Sequence, residues 1–317
     1  MSKSIAVIGA GAWGTALAML QANAGRQVTL WARDPQKAAD MQASRVNPRL
    51  PGVELPSSLQ VSSVMPQAEI FLLAVPTQTL RATLALLPPE VPLVLCCKGL
   101  EQGSFALPPE ILASRPCAML TGPNFAHEIA AGLPAAAVLA TPEPGLRAML
   151  VSALHTSHFR LYGAADITGA ALGGAAKNVV AIAAGVVMGA GLGENARAAL
   201  ITRGLAEISR LAIAMGGKAE TIAGLSGLGD LLLTCTGMSS RNYSLGFGLG
   251  QGQSLAAILE HRAAVTEGVM TAPALLARAS AVGVEMPITH AVTNLLAGKM
   301  TVHETMMALM GRALKDE

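Results

Sequence analysis

Residues 5–14 read Ile5-Ala6-Val7-Ile8-Gly9-Ala10-Gly11-Ala12-Trp13-Gly14, an apolar run that leads directly into a glycine-rich turn. In a turn with this spacing, Gly9 permits the tight bend, Gly11 lets a pyrophosphate approach the backbone, and Gly14 lets the next helix pack closely. The pyrophosphate would then lie on the N–H groups at the start of that helix. Glycine-rich turns also occur for purely structural reasons. The elements on either side of the turn distinguish a nucleotide site from a structural turn.

The flanking elements favour a nucleotide site. The sequence predicts a helix over residues 15–24 and a second strand over residues 27–31. The two strands and the helix fit within about thirty residues, which is the length of a βαβ unit. We therefore predict that the chain begins with a doubly wound, Rossmann-type parallel sheet that binds a dinucleotide.

The end of the second strand bears on which dinucleotide binds. An acidic residue at this point holds the ribose hydroxyls of NAD, whereas an arginine accommodates the 2′-phosphate of NADP. The chain has Arg33 there, followed by Asp34. We therefore expect a preference for NADP, with NAD also possible because Asp34 could hold the ribose. The alternative role of Asp34 is to cap a helix that begins at Pro35.

Length and composition indicate a soluble enzyme. The 317 residues are enough for two domains with separate hydrophobic cores. Hydrophobic residues make up 52% of the chain and the mean hydropathy is +0.48. The most apolar stretch, residues 170–193, contains Lys177 and Asn178, so we interpret it as a buried helix and not as a membrane span. A net charge of +2 gives no reason to expect nucleic acid or an anionic membrane as a partner.

The first residues and the cysteines favour the cytoplasm. The chain opens on a strand and shows no charged segment, apolar core or cleavage site of a signal peptide. The cysteines do not have the spacing of metal ligands, so we expect reduced, buried thiols and no metal. They are Cys96, Cys97, Cys117 and Cys235.

Further apolar runs extend the predicted sheet. They lie at residues 70–76, 93–99, 117–123 and 135–140. Because the runs are nearly continuous and do not alternate with polar residues, they indicate strands covered on both faces, hence a parallel sheet. Ligands bind beyond the carboxyl ends of such strands. We therefore expect Pro76, Lys98, Gly122 and Asn124 to converge on one crevice.

The second half of the chain has a helical pattern. Segments rich in Ala and Leu predict helices over residues 167–188, 195–215, 255–260, 271–281 and 290–297. We assign residues 1–165 to a Rossmann dinucleotide-binding domain and residues 166–317 to an all-α domain that binds substrate and carries out catalysis. No low-complexity linker separates the halves, so we expect the active site between them.

Lys177 is the first candidate for chemistry in the helical half. It lies in an apolar helix with no acidic residue within four positions on either side. A desolvated ammonium has a lowered pKa and can serve as a general acid or base near neutral pH. The alternative is a lysine whose charged end reaches solvent from a partly exposed helix face.

Two polar groups follow further along the chain. Asp230 opens a short helix and Thr234 lies one turn later on the same face. Alone, Asp230 would be a structural acid at a helix N-terminus. Ser240, Arg241 and Asn242 combine hydroxyl, guanidinium and amide donors that suit a phosphate. Their alternative is an ordinary polar loop.

Taken in order, these segments resemble the bacterial NAD(P)-dependent glycerol-3-phosphate dehydrogenases. The lysine, aspartate and arginine–asparagine segments are specific to that family in combination. The similarity covers nearly the whole chain and rests on residues 9–17, 97–101, 122–126, 177–179, 195–204, 227–231, 234–236, 240–242 and 267–268.

The resemblance implies an activity and a set of site residues. The activity is the reversible reduction of dihydroxyacetone phosphate to sn-glycerol 3-phosphate, a precursor of glycerophospholipids, by a homodimer. Lys177 would transfer the proton, and Asp230 would orient Lys177 and a substrate hydroxyl. Lys98 would contact both cofactor and substrate. The remaining cofactor contacts implied are Gly9, Gly11, Ala12, Trp13, Gly14, Arg33, Ala126, Arg241 and Glu267. The substrate contacts, besides the three catalytic residues, are Gly122, Asn124, Thr234, Ser240, Arg241 and Asn242.

Two positions depart from the family pattern, and two other functions compete with it. Asn124 stands where Ser or Thr is usual but can still donate a hydrogen bond, and His127, where Lys is common, is expected at the rim of the site. A β-hydroxyacid or 6-phosphogluconate-type dehydrogenase would pair the lysine with an asparagine one helical turn later, where this chain has Ala181. A protein that senses NADP without turnover would lack the lysine or the phosphate cluster, and this chain has both.

Overall fold

A computed structural model describes residues 3–112, 115–260 and 266–312 of the chain. The described residues divide into two units. The first contains those up to Lys98 together with Ala106–Ala171, and the second contains Gly99–Phe105 together with those from Leu172 onward. The first unit is an α/β domain and the second is helical, so the predicted fold class is confirmed.

The first unit is built on one sheet with helices between its strands. The strands are β1 (Ile5–Ile8), β2 (Val28–Trp31), β3 (Gln60–Ser62), β4 (Ile70–Leu73), β5 (Leu93–Leu95), β6 (Cys117–Thr121), β7 (Ala135–Ala140) and β8 (Phe159–Ala164). The helices are α1 (Ala12–Asn23), α2 (Pro35–Ser44), α3 (Leu80–Leu84), α4 (Pro108–Ile111), α5 (Ala126–Ala130) and α6 (Pro144–Leu154). The spatial order β3-β2-β1-β4-β5-β6-β7-β8 reverses direction at β1, which creates the switch point where such sheets bind nucleotides.

One strand pair differs from the parallel sheet that the sequence predicts. Strand β7 runs antiparallel to β6, with Leu120 opposite Leu139, whereas every other adjacent pair in the sheet is parallel. A strand that is covered on both faces gives the same apolar run in either direction. The apolar pattern therefore finds both strands but does not give their direction.

Neither edge strand is predicted by the sequence pattern. The strand β3 has only three residues and begins with an exposed glutamine, Gln60. In β8 buried and exposed residues alternate, with Arg160 and Tyr162 on the exposed face. Short or half-exposed edge strands lack the continuous apolar run that marks the central ones.

The glycine-rich turn owes its shape to two close approaches. Gly9 has a φ of +112°, and a Cβ there would lie 2.7 Å from the carbonyl oxygen of Ala74, which follows β4. A Cβ at Gly14 would overlap the Gly9 carbonyl oxygen. The helix α1 begins at Ala12, three residues earlier than predicted, because Gly14 allows its first turn to lie directly on the loop.

The second unit is helical throughout its regular structure. Its helices comprise the residues of α7 (Ile167–Gly189) from Leu172 onward, followed by α8 (Gly193–Ala214), α9 (Ala219–Ala223), α10 (Asp230–Cys235), α11 (Arg241–Gly250), α12 (Leu255–Glu260), α13 (Glu267–Ala281), α14 (Pro287–Leu296) and α15 (Val302–Met310). All five long helical segments predicted from the sequence are present, with ends that differ by a few residues.

The long apolar helix α7 packs against α11 through glycines. A Cβ at Gly185 would overlap the carbonyl oxygen of Tyr243, and a Cβ at Gly246 would overlap that of Ile182. By length and composition α7 is the one helix among the described residues that could cross a membrane, but 94% of its most apolar stretch is buried inside the protein. Its apolar character is therefore explained by the core around it.

Candidate functional site

The glycine-rich loop (Gly9–Gly14) joins β1 to α1. Gly11 precedes the first residue of α1 and has extended backbone angles. In contrast to its two neighbours in the motif, a Cβ built on Gly11 meets no atom within 4 Å. The backbone beside a helix N-terminus is thus open at the point where a pyrophosphate would approach, and the helix dipole favours an anion there. The loop fits a dinucleotide.

Trp13 lies in the first turn of α1. Its indole nitrogen Nε1 is buried and has no hydrogen-bond partner among the described residues. Buried donors in proteins are nearly always paired. The indole of Trp13 is therefore an unsatisfied donor in the first turn of α1, directly after the glycine-rich turn.

The residues after β2 separate into two roles. Asp34 accepts a hydrogen bond from the backbone N–H of Lys37 at 3.1 Å and so caps α2, which begins at Pro35. Arg33 is exposed. The capping alternative for Asp34 is therefore correct. Both side chains are exposed, and Asp34 is the one with a structural role as a cap.

The carboxyl ends of β4, β5 and β6 lie side by side, because these strands are adjacent and parallel. Thr77, next to Pro76, donates a hydrogen bond from Oγ1 to the carbonyl oxygen of Lys98 at 3.0 Å. Pro76, Lys98, Gly122 and Asn124 thus share one edge of the sheet, as the strand pattern predicts.

Asn124 and Gly122 lie against β7. A Cβ at Gly122 would lie 2.9 Å from the Cα of Ala137, so the loop leaves no room for a side chain there. Asn124 donates from Nδ2 to the carbonyl oxygen of Ala136 at 3.3 Å. Its Oδ1 is buried with no partner among the described residues, so this acceptor is unsatisfied.

The next residues open helix α5. Ala126 is its first residue. His127 is exposed, and its ring stacks on that of Phe125 with the centroids 5.6 Å apart. An exposed, stacked imidazole agrees with the peripheral position expected for His127.

Lys177, Asp230 and Thr234 form a buried cluster in the second unit, called here the lysine cluster. Lys177 Nζ donates hydrogen bonds to a carboxylate oxygen of Asp230 and to Thr234 Oγ1, the latter at 2.9 Å. The three residues are 7%, 0% and 5% exposed. Thr234 Oγ1 also donates to the carbonyl oxygen of Asp230 at 2.6 Å, so its hydroxyl is oriented with a lone pair towards the ammonium. The alternative of a lysine that reaches solvent is wrong.

The fold builds this cluster from distant parts of the chain. Asp230 lies 53 positions from Lys177 and opens α10, after a single π-helical turn at Leu225–Gly229. That turn lies close to α7, since a Cβ at Gly173 would be 2.6 Å from the carbonyl oxygen of Ser226. The approach of the two backbones brings the start of α10 to the lysine one helical turn beyond Gly173.

The lysine cluster has the parts of a proton-transfer site. An ammonium that is held by a carboxylate and a hydroxyl has a fixed direction and can deliver a proton to an oxygen placed beside it. The Asp230 carboxylate also balances a positive charge whose burial would otherwise be costly.

The polar residues 240–242 form the start of a helix, so the polar-loop alternative is wrong. Ser240 caps α11 by accepting a hydrogen bond from the backbone N–H of Tyr243 at 3.2 Å. Arg241 is the first helical residue and is exposed. A guanidinium next to a helix N-terminus concentrates positive charge at one point, which suits a phosphate.

Asn242 takes part in a buried asparagine network. Its Nδ2 donates to Asn178 Oδ1 at 2.9 Å, and its Oδ1 accepts from the backbone N–H of Gly268 at 2.9 Å. Asn178 Nδ2 donates in turn to Glu267 Oε2 at 3.4 Å. The network fixes Glu267 relative to the residue that follows Lys177. No role for Asn178 follows from the sequence alone, where its one signal is an amide inside an apolar helix.

The cysteines are free thiols, and the described residues contain no group of side chains that could hold a metal. Cys96, Cys97 and Cys235 are buried, as expected, whereas Cys117 is half-buried. Burial raises the pKa of Cys117 to about 11 and that of Cys235 to about 12. A raised pKa favours the protonated thiol of Cys117 and Cys235 at neutral pH, and a protonated thiol is a poor nucleophile.

A Rossmann-type sheet with an open glycine-rich loop, together with a helical unit that holds a buried lysine–carboxylate pair, defines a dinucleotide-dependent dehydrogenase. Two family models match the chain: the N-terminus of NAD-dependent glycerol-3-phosphate dehydrogenase over residues 4–146 and its C-terminus over residues 166–307. The chain belongs to the NAD-dependent glycerol-3-phosphate dehydrogenase family. The resemblance inferred from the sequence is confirmed, and the chain is an NAD(P)-dependent oxidoreductase.

Several relatives agree with this assignment over nearly their whole length. The glycerol-3-phosphate dehydrogenase [NAD(P)+] of Acidiphilium cryptum is 62% identical over 98% of both chains. That of Gluconobacter oxydans is 52% identical over 97% of both. Among solved structures, the glycerol-3-phosphate dehydrogenase of Coxiella burnetii matches with a TM-score of 0.93 and 36% identity, covering 98% of this chain and 99% of that one.

Proposed function

We propose that this chain catalyses the reversible reduction of dihydroxyacetone phosphate to sn-glycerol 3-phosphate, with Lys177 as the proton donor. The observation that carries the proposal is the lysine cluster, in which a buried ammonium is held by Asp230 and Thr234. The names of the relatives supply the substrate.

The proton step follows from the reaction. NADPH or NADH, when bound, supplies a hydride to the ketone carbon of the substrate. The ketone oxygen then gains negative charge and needs one proton, which Lys177 Nζ donates. In the reverse direction the neutral amine accepts the hydroxyl proton. Asp230 and Thr234 hold Lys177 Nζ in a fixed orientation. A fixed proton donor increases the rate of the reduction because no time is lost to unproductive orientations.

The dinucleotide would lie along the glycine-rich loop. The open space at Gly11 and the N-terminus of α1 suit the pyrophosphate. Arg33 is exposed at the end of β2, and Asp34 is engaged as a helix cap. This pairing supports NADP over NAD, because an arginine accommodates the 2′-phosphate. Ala12, Trp13 and Gly14 complete this part of the cofactor site.

The phosphate of the substrate would be held at the start of α11. Arg241 supplies a charged fork, and the helix N-terminus supplies partial positive charge. The side chains of Ser240 and Asn242 are engaged in capping and in the asparagine network. Ser240 and Asn242 therefore support phosphate binding by fixing the position of Arg241 and its backbone. A direct contact between either side chain and the phosphate would add to this role.

The remaining assignments rest on the family resemblance and on position in the fold. Lys98, Gly122 and Asn124 stand at the edge of the sheet where ligands bind, and Asn124 Oδ1 has no partner among the described residues. We assign Lys98 to cofactor and substrate, Gly122 and Asn124 to the substrate, and Ala126 and Glu267 to the cofactor.

The biological setting of the enzyme is also part of the proposal. We infer a cytoplasmic homodimer that supplies glycerol 3-phosphate to glycerophospholipid synthesis, by analogy with the family. Light scattering of the purified protein would give twice the chain mass for a homodimer, and a single chain mass would contradict it.

The test is the rate at which purified protein oxidises NADPH, and separately NADH, with dihydroxyacetone phosphate or with unphosphorylated dihydroxyacetone. We expect oxidation with the phosphorylated ketone and very little with the other, and a higher rate with NADPH. Protein that binds NADPH but oxidises neither cofactor with the phosphorylated ketone would contradict the proposal.

A further inference from the structure

We infer that Asn47 is a positioning residue for dinucleotide binding, because its side-chain amide holds the glycine-rich loop in its binding shape from behind. The inference rests on the dinucleotide part of the proposed function. Asn47 lies outside the motif and outside every segment that carries the family resemblance.

The contacts of Asn47 connect the glycine-rich loop to helix α1. Its Nδ2 donates to the carbonyl oxygen of Ala10 at 3.2 Å and to Thr15 Oγ1 at 2.7 Å. Ala10 is the central residue of the turn, and Thr15 lies in the first turn of α1. Asn47 is 2% exposed and Thr15 is fully buried. One amide group therefore sets the distance between the turn and the start of the helix.

The other end of the amide anchors Asn47 itself. Its Oδ1 accepts a hydrogen bond from the backbone N–H of Arg49 at 3.0 Å, and its carbonyl oxygen accepts one from the N–H of Leu50 at 2.9 Å. Both bonds close a tight local turn. The side chain is therefore held in one orientation, with its donors directed to Ala10 and Thr15.

Arg45 fixes the conformation of the segment that follows α2 and contains Asn47. It ends α2 in a left-handed conformation, with a φ of 57°. Its guanidinium donates to the carbonyl oxygens of Pro56 and Leu59, the latter at 2.7 Å, and its own carbonyl accepts the N–H of Leu55 at 2.8 Å. These hydrogen bonds bring the two ends of residues 45–59 together. The buried side chains of Leu50, Leu55 and Leu59 pack this segment against the core of the first unit.

The position of the loop matters because anion binding by backbone groups depends on their direction. Gly11 has no side chain, and Ala10 and Ala12 carry only methyl groups, which cannot adjust to a ligand. The loop must therefore be fixed before the pyrophosphate arrives, and a preorganised site binds more tightly than one that must be ordered on binding. Asn47 supplies this order from a buried position, through the carbonyl oxygen of Ala10 and the hydroxyl of Thr15.

The test replaces the donor and keeps the shape. Asn47→Asp retains the acceptor for Arg49 but replaces the donating amide nitrogen with an oxygen, opposite the carbonyl of Ala10. We expect the dissociation constant for NADPH, measured by titration calorimetry, to rise about tenfold. At saturating NADPH, the KM for dihydroxyacetone phosphate should stay within about twofold of the wild type, because only the cofactor loop has changed.

Two further variants complete the design. Asn47→Ser retains a single, shorter donor and should lose less affinity for NADPH than Asn47→Asp, and it remains testable if the aspartate variant does not fold. Ser44→Ala is the matched control, since Ser44 Oγ accepts from the N–H of Val46 in the same segment without reaching the glycine-rich loop. The control should bind NADPH like the wild type.

Affinity of Asn47→Asp for NADPH within about twofold of the wild type would overturn the inference. An equal loss in cofactor affinity and in kcat/KM for the ketone at saturating NADPH would also overturn it, because it would reveal a general structural role. If the wild type binds NADPH but does not turn over the ketone, the proposed reaction fails and the comparison of NADPH affinities still decides the role of Asn47.

Discussion

The glycine-rich loop of the first unit and the lysine cluster of the second are built in opposite ways. The loop consists of adjacent residues, uses backbone groups, and is open at Gly11. The lysine cluster joins residues 53 positions apart, uses side chains, and is buried, with Asp230 fully inaccessible to solvent. A backbone site depends on the absence of side chains, whereas a side-chain site depends on charges that the fold brings together. The two should therefore fail in different measurements.

The largest effect is expected for Lys177→Met, which removes the ammonium and keeps an unbranched chain of similar length. Turnover with dihydroxyacetone phosphate should fall by roughly 10²–10⁴, since that is the usual contribution of a positioned general acid. The dissociation constant for NADPH should stay near that of the wild type, because the loop lies in the other unit. Steady-state kinetics and calorimetry measure the two quantities.

The control for this variant has to separate chemistry from folding. Loss of the lysine leaves the Asp230 carboxylate buried without its cation, which is destabilising. The double variant Lys177→Met with Asp230→Asn removes that charge and should be equally inactive but more stable to heat. Lys299→Met, at an exposed lysine of the same unit, should behave as the wild type. Turnover of Lys177→Met within tenfold of the wild type would remove Lys177 from the proton step.

Arg241→Ala should produce the second largest effect. Loss of a charged hydrogen-bond donor to a phosphate is worth roughly 10–100-fold in KM for the phosphorylated ketone. Arg241→Lys keeps the positive charge but loses the paired donors of the guanidinium. Its KM should lie between those of the wild type and Arg241→Ala. Arg312→Ala, which removes an exposed ion pair with Glu285, is the control. An unchanged KM in Arg241→Ala would show that the phosphate binds elsewhere.

Gly11→Ala tests the open side of the loop. The added methyl group meets no protein atom within 4 Å, so the melting temperature should not fall. The methyl group would occupy the approach of the pyrophosphate, and NADPH should bind about tenfold more weakly. The matched variant Gly14→Ala should lower the melting temperature, because its Cβ would overlap the Gly9 carbonyl oxygen. Unaltered NADPH binding by Gly11→Ala would contradict the placement of the pyrophosphate.

Arg33→Ala should give the smallest effect. An exposed charge contributes little in water, so the ratio of kcat/KM for NADPH to that for NADH should fall by about fivefold. Activity with NADH should change less than activity with NADPH. If kcat/KM falls equally for NADPH and NADH, Arg33 does not contact the 2′-phosphate.

The fold could be predicted to different depths in the two units. Continuous apolar runs revealed the central strands, and helical periodicity revealed α7, α8 and α13. The edge strands β3 and β8 and the antiparallel direction of β7 were missed. Strand direction and edge pairing depend on contacts between distant residues, which a local pattern does not contain.

The two sites differ in the same way. The spacing of Gly9, Gly11 and Gly14 defines the loop locally, so the motif alone predicts a nucleotide site. The pairing of Lys177 with Asp230 is invisible to any local pattern, because the sequence around the lysine contains no acid. Only the family resemblance joined these two residues before the structure did. Asn47 was missed altogether, since a single asparagine in a loop has no signature.

The central claim is that a hydride passes from the dinucleotide to the ketone carbon while the protein supplies the proton. Its most direct test is to run the reaction with dihydroxyacetone phosphate and NADPH that carries deuterium at both C4 positions of the nicotinamide, and to analyse the product by mass spectrometry and nuclear magnetic resonance. We predict sn-glycerol 3-phosphate with one deuterium, at C2. A product without deuterium at C2, or no product from protein that binds NADPH, would contradict the account.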